Sequence, residues 1–258
     1  MNYKILEKCS NIRAKARDSL AGKWWPAIGT ILVASLCMAI VPALLLVIFG
    51  PDSIMTMIGN IYTILVTGAF SYGICFYAIK LRRGEDVSST MVFNGFSIFT
   101  KTLGLSLFTT IFILLWSLLL IIPGIIAALR YSMSYYVLID HPEYSIRECV
   151  NESKRIMRGN LGKLFLLNLS FIGWTLLVGV ILTLIITLAS VPVINMAMYQ
   201  PSYMINVMTP QMATLQLIAI VATTVISAPL YVYIQIASGT FYDILIGRLE
   251  GAIKGNDN

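Results

Sequence analysis

The sequence predicts an all-α fold, a polytopic transmembrane helical bundle of about six spans with a central helical hairpin at Pro123-Gly124 and an amphipathic cytoplasmic helix. Three observations predict it. Hydrophobic residues make up 58% of the chain and charged residues 12%, where soluble domains carry about 25% charged residues. No charged residue lies between Lys163 and Asp243. Several apolar runs reach the length of about 20 residues that crosses hydrocarbon at 1.5 Å per residue. The expected organisation is an N-terminal amphipathic cytoplasmic segment over 1–25, a single transmembrane domain over 26–249 and a disordered tail over 250–258.

In the N-terminal segment Ile5, Cys9, Ile12, Ala16 and Leu20 recur at helical spacing and share one face. Two forms fit: a helix lying on the inner membrane surface, and a solvated helix packed on the cytoplasmic loops. Trp24-Trp25 marks the interface, where aromatic rings sit at headgroup depth. The first span covers 27–49 and the second 54–79, the latter with Gly59, Gly68, Ser71 and Gly73 for close helix contact. Residues 80–101 read as a polar loop whose Val92, Phe93, Phe96 and Phe99 face the bilayer.

Residues 102–139 are too many for one straight span and suit two short ones. Pro123 removes a helix donor and Gly124 permits a turn. A single span here would put Arg147, Lys154, Arg155, Arg158 and Lys163 outside, against the positive-inside bias. The expectation is a tight hairpin with Pro123-Gly124 near the outer surface, with a re-entrant loop as its variant. Residues 140–163 form the cytoplasmic helix. Asp140 is its expected cap with Glu143 completing the pair, Pro142 lies in the first turn, and Gly159 is the stop. The fifth span covers 164–189 and holds Asn168, Ser170, Gly173 and Trp174. Residues 190–214 are an uncharged outer loop, and the sixth span over 215–241 bends at Pro229. Six crossings place both termini in the cytoplasm, and the net charge of +6 then serves to hold inner loops against anionic lipid rather than to bind nucleic acid.

Chemistry is sparse. His141 is the single histidine, and no zinc-protease, P-loop or nucleophile-elbow motif occurs. Cys9, Cys37, Cys75 and Cys149 form no C-x-x-C pair, so neither a disulfide nor a metal site is expected, and no cofactor. Met196, Met198, Met204, Met208 and Met212 cluster in the outer loop; thioethers bind Cu(I), but a flexible apolar loop resting on lipid is the preferred reading. Arg130 is the sharpest residue. On the hairpin it lies at membrane depth, where an arginine costs about 2.5 to 3.5 kcal/mol unless paired. Asn168 and Ser170 on the fifth span, or a lipid phosphate, are its candidate partners.

The run from Pro123 to Trp174 resembles a bacterial family of multi-pass membrane proteins catalogued as domain of unknown function 975. The resemblance rests on Pro123-Gly124-Ile125, Arg130-Tyr131, Asp140 with Pro142, Ser153-Lys154, Met157 with Gly159, and Phe165 with the block Ser170 to Trp174. Ala16-Arg17, Gly22 to Trp25 and Phe241-Tyr242 extend it over nearly the whole chain. The family is distantly similar to the membrane domain of some glycerophosphodiester phosphodiesterases, whose catalytic histidines and acids belong to a soluble domain that has no counterpart here. What the resemblance implies is a helical fold in the bacterial cytoplasmic membrane, without an assigned activity. The expected function is a non-enzymatic accessory or lipid-interacting component, with membrane lipids and other membrane proteins as partners. The alternative is a small transporter or permease subunit.

Overall fold

The computed structural model describes residues 3–50, 53–199, 209–249 and 252–254. In chain order the elements are β1 (Tyr3–Ile5), α1 (Cys9–Leu20), α2 (Trp24–Phe49), α3 (Ile54–Arg82), a 3-10 helix (Ser89–Phe96), α4 (Phe99–Leu119), α5 (Ile121–Tyr131), α6 (Ser134–Asp140), α7 (Ile146–Ile156), α8 (Leu161–Tyr199), α9 (Thr209–Leu245) and β2 (Ala252–Lys254). Among the described residues six stretches are long and apolar enough to cross a membrane: Trp24–Leu46, Ile54–Arg82, Phe99–Leu119, Ile121–Asp140, Leu161–Leu188 and Val221–Leu245.

α3 is the central helix. It is 67% buried over its most apolar window, where α8 is 11% buried. Its glycines explain how neighbours come so close. A Cβ at Gly59 would lie 3.0 Å from the Cα of Pro42 in α2, at Gly68 2.5 Å from the Thr102 carbonyl oxygen of α4, and at Gly73 1.9 Å from the Val92 carbonyl oxygen. Only hydrogen fits there, so the small residues expected for helix contact do make it. Val92 is fully buried, while Phe93 and Phe96 meet Phe70 edge-on. The aromatic face of the 80–101 connection is thus partly spent on α3.

Five expectations need correction. The turn of the central hairpin falls at Leu120, whose extended backbone separates α4 from α5. Pro123 sits in the first turn of α5, where its missing N–H leaves no hydrogen bond unmade. Gly124 is a contact rather than a turn, since its Cβ would lie 2.1 Å from Ser117 Oγ across the hairpin. Asp140 does not cap α7 either. It ends α6, and the capping box is Ser145 with Glu148: Ser145 N donates to Glu148 Oε2 at 2.7 Å, and Glu148 N donates to Ser145 Oγ at 3.4 Å. Pro142 lies between the two helices, outside both, and its carbonyl accepts from Lys101 Nζ at 2.6 Å.

The apolar face of α1 packs on protein, chiefly α9, with Ile12, Ala16 and Leu20 fully buried. It does not lie open to lipid. Residues 190–199 continue α8 instead of looping, so α8 has 39 residues. At 1.5 Å per residue it rises about 58 Å, well beyond the ~30 Å hydrocarbon core. Residues 252–254 of the expected disordered tail pair antiparallel with β1, Ile5 opposite Ala252. Pro229 lies inside α9 as expected. Of the methionine cluster, Met204 and Met208 lie outside the described residues.

Candidate functional site

The short helix α6 brings its charge to the ends of two long helices, α3 and α9. Arg83 follows the last turn of α3, Asp140 closes α6, and Asp243 lies in the last turn of α9. The guanidinium of Arg83 binds Asp140 through both forks, Nη1 to Oδ1 at 2.8 Å and Nη2 to Oδ2 at 2.9 Å. Its Nη2 and Nε also reach Asp243 Oδ1 at 3.0 and 3.3 Å. Tyr242 donates its hydroxyl to Asp140 Oδ2 at 3.2 Å, and its ring stacks on Tyr136. Burial works against the charge on Arg83, but the hydrogen bond to Asp140 and the two carboxylate fields outweigh it and hold the guanidinium above its ordinary pKa. Planar, bidentate and mostly out of water, this node locks three helices in one register.

A different arrangement surrounds Arg130. The α7 helix climbs beside the hairpin, and Ser153 Oγ donates to the Arg130 carbonyl at 2.7 Å. That bond fixes the end of α5 against α7. The Arg130 side chain then lines an open pocket of about 320 Å³ with Lys154, Met157, Arg158, Gly159 and Leu161. Lys154 Nζ sits 5.3 Å from the Tyr131 ring centroid. Gly159, with φ at +82°, turns the chain from α7 toward α8 and is the expected stop. Three cationic side chains on one pocket select an anion with several acceptor oxygens, and arginine suits phosphate best.

The structure does not bring the other expected partners to this pocket. Asn168 is exposed on α8, and Ser170 donates to the Leu167 carbonyl of its own helix at 2.6 Å. Gly173 meets nothing within 4 Å among the described residues, and Trp174 is 61% exposed. His141 stacks on Tyr144 and faces Glu143 at the surface. Among the described residues no group of three or more His, Cys, Asp or Glu is placed to hold a metal ion. Sequence reasoning missed Arg83, Tyr242 and Asp243. The signal was available: each is a polar residue at the end of an apolar run, and two helix ends of one charge sign demand a counter-charge from a third.

No curated protein and no solved structure matches the chain. A family described as protein of unknown function (DUF975) matches residues 6–127 and 118–248. The two matches meet within the α4–α5 hairpin and together take in every residue of the arginine–aspartate node and of the Arg130 pocket. From α1 to the end of α9, the chain belongs to the DUF975 family.

Proposed function

We propose that the chain is an integral protein of the bacterial cytoplasmic membrane, with both termini in the cytoplasm, acting without catalysis as an accessory component that engages anionic lipid. One observation carries this proposal. Arg130, Lys154 and Arg158 converge on one pocket at the foot of a hairpin whose apex is bare aliphatic surface, with Leu118 to Ile122 all about 70% exposed. A basic pocket at the root of apolar helices is how a membrane protein reads phosphate headgroups.

The test is native mass spectrometry of the full chain from mild detergent. Wild type should carry anionic phospholipid, Arg130→Leu should carry less of it and melt lower, and Arg130→Lys should recover part of both, because an ammonium keeps the charge without the planar fork. Equal lipid and equal melting in all three would reduce Arg130 to an interface residue. Orientation is read separately. Cys149 is a poor reporter, since burial pushes its thiol up to about 11. A cysteine at exposed Arg147 in a cysteine-free background should react with an impermeant reagent only after permeabilisation.

The transporter alternative draws on the interruption of the fourth span between α5 and α6, since transporters break helices at their sites. Solute uptake by proteoliposomes would favour it.

A further inference from the structure

A second basic cleft lies between α1 and the α8–α9 pair. Arg13 and Arg17 stand one turn apart on α1, beside the face that packs inward. With Ser10, Phe171, Trp174, Leu230 and Tyr233 they line a volume of about 320 Å³. The floor is aromatic and fixed: Tyr233 meets Phe171 edge-on at 5.2 Å and Trp24 at 6.3 Å. Tyr233 also donates its hydroxyl to the Arg13 carbonyl at 3.0 Å, which sets α1 in place over the floor.

No carboxylate answers these arginines among the described residues. Lys15 of the same helix pairs with Glu7, and Arg83 holds two carboxylates. Among the described residues Arg13 and Arg17 make neither an ion pair nor a side-chain hydrogen bond. Like charges four residues apart on a helix repel, and charge beside apolar surface is costly. An anion between the two guanidiniums removes both costs.

The depth of the cleft says which anion. Tyr233 lies 24 residues along α9 from Thr209, about 36 Å at 1.5 Å per residue. Trp174 lies 25 residues along α8 from Tyr199, about the same. A hydrocarbon core of ~30 Å therefore fits beyond them and leaves the cleft at headgroup level. Trp25 and Trp174, 83% and 61% exposed, are the residues that favour that level. Past Trp174 the surface of α8 is aliphatic, with Leu176, Leu177 and Val180 open to an acyl chain.

We propose that the cleft between α1 and the α8–α9 pair, roofed by Arg13 and Arg17 and floored by Phe171, Trp174 and Tyr233, binds the phosphate group of an anionic phospholipid. It rests on the membrane location proposed above but not on the Arg130 pocket. The phosphate oxygens accept from the two guanidiniums, the glycerol backbone lies against Trp174, and the chains follow α8.

The experiment titrates the full chain in mild detergent with phosphatidylglycerol, phosphatidylcholine and free glycerol 3-phosphate, read by native mass spectrometry. Phosphatidylglycerol should bind, and Arg13→Gln with Arg17→Gln should weaken it by about tenfold or more, as expected when charge-assisted hydrogen bonds are lost. Arg17→Gln alone, at an exposed position, gives the same direction if the double variant folds poorly. Arg130→Leu should leave this component of binding in place. Phosphatidylglycerol binding that both glutamine variants retain overturns the proposal; if Arg130→Leu alone abolishes binding, the Arg130 pocket stands and this cleft does not. Competition by glycerol 3-phosphate as strong as by lipid overturns the lipid source in favour of a soluble phosphate ester. Equal binding of phosphatidylcholine overturns the requirement for net negative charge.

Discussion

The two ends of this bundle are built on different rules. Toward its C-terminal end α3 is wrapped from Val66 to Leu81, with glycines in backbone contact and Arg83 tied to two aspartates. Toward the other end Ile54, Ile58, Ile61 and Ile64 of the same helix stand exposed, as do Ile111, Leu114 and Leu118 of α4. The helices touch near Gly68 and Thr102, and beyond that both show bare aliphatic faces. In lipid an aliphatic face needs no protein partner, because the acyl chains are equally apolar. A polar or very small side chain does need one, so specificity concentrates where those residues are.

The largest effect that tests this contrast is at the node. Arg83→Leu leaves Asp140 and Asp243 uncompensated and should cost about 3–5 kcal/mol, the usual penalty for breaking a buried pair. Leu118→Ala at the hairpin apex, 75% exposed, should leave the melting temperature in detergent nearly unchanged. Comparable losses for the two would erase the distinction between the ends.

Glycines provide a second, smaller contrast. Gly73→Ala drives a methyl into the Val92 backbone and should cost about 1–3 kcal/mol. Gly173→Ala enters open space on α8, where alanine improves helix propensity by up to about 1 kcal/mol. Thermal unfolding of the two variants should therefore shift in opposite directions. A loss at Gly173 as large as that at Gly73 would reveal a contact made by a partner or a bound lipid.

The smallest effect is at the start of α7. Ser145→Ala removes one half of the capping box and should cost about 1 kcal/mol. The backbone N–H of Ser145, then its hydroxyl, hold the Glu148 carboxyl below its ordinary pKa. Because the folded value is the lower one, this contribution is complete above the unfolded value of about 4.3 and is lost as the pH falls through the folded one. Hydrogen exchange of the α7 amides should accelerate between about pH 5 and 3 in wild type and lose that pH dependence in Glu148→Gln. An unchanged profile in Glu148→Gln would mean that the capping box does not control the start of α7.

Much of the aliphatic end was legible in the chain itself. Apolar runs of span length, the break in the central run and the glycines of the second span follow from composition and spacing, because the bilayer dimension sets helix length. The inward face of α1 was legible too, through Ile12, Ala16 and Leu20, although not what it would pack against. Gly73 could be expected to touch something, but only the fold names Val92.

The charged end of the bundle was not legible, and the reason is physical. Arg83, Asp140 and Asp243 are separated by 57 and 103 residues, and no local pattern couples such positions. Read locally, Asp140 before Pro142 looks like a cap; in three dimensions a guanidinium claims it first, and Ser145 with Glu148 takes over the cap. The same holds for Arg13 and Arg17. Their helix could be predicted from its period of apolar residues, but which charges find partners is a property of the packed state alone. The sequence by itself determined that six helices are apolar enough to span a membrane, since burial in lipid asks only for length and hydropathy. Tertiary structure decided which polar groups are satisfied and which are left to face a ligand, since that depends on contacts between helix ends far apart in the chain.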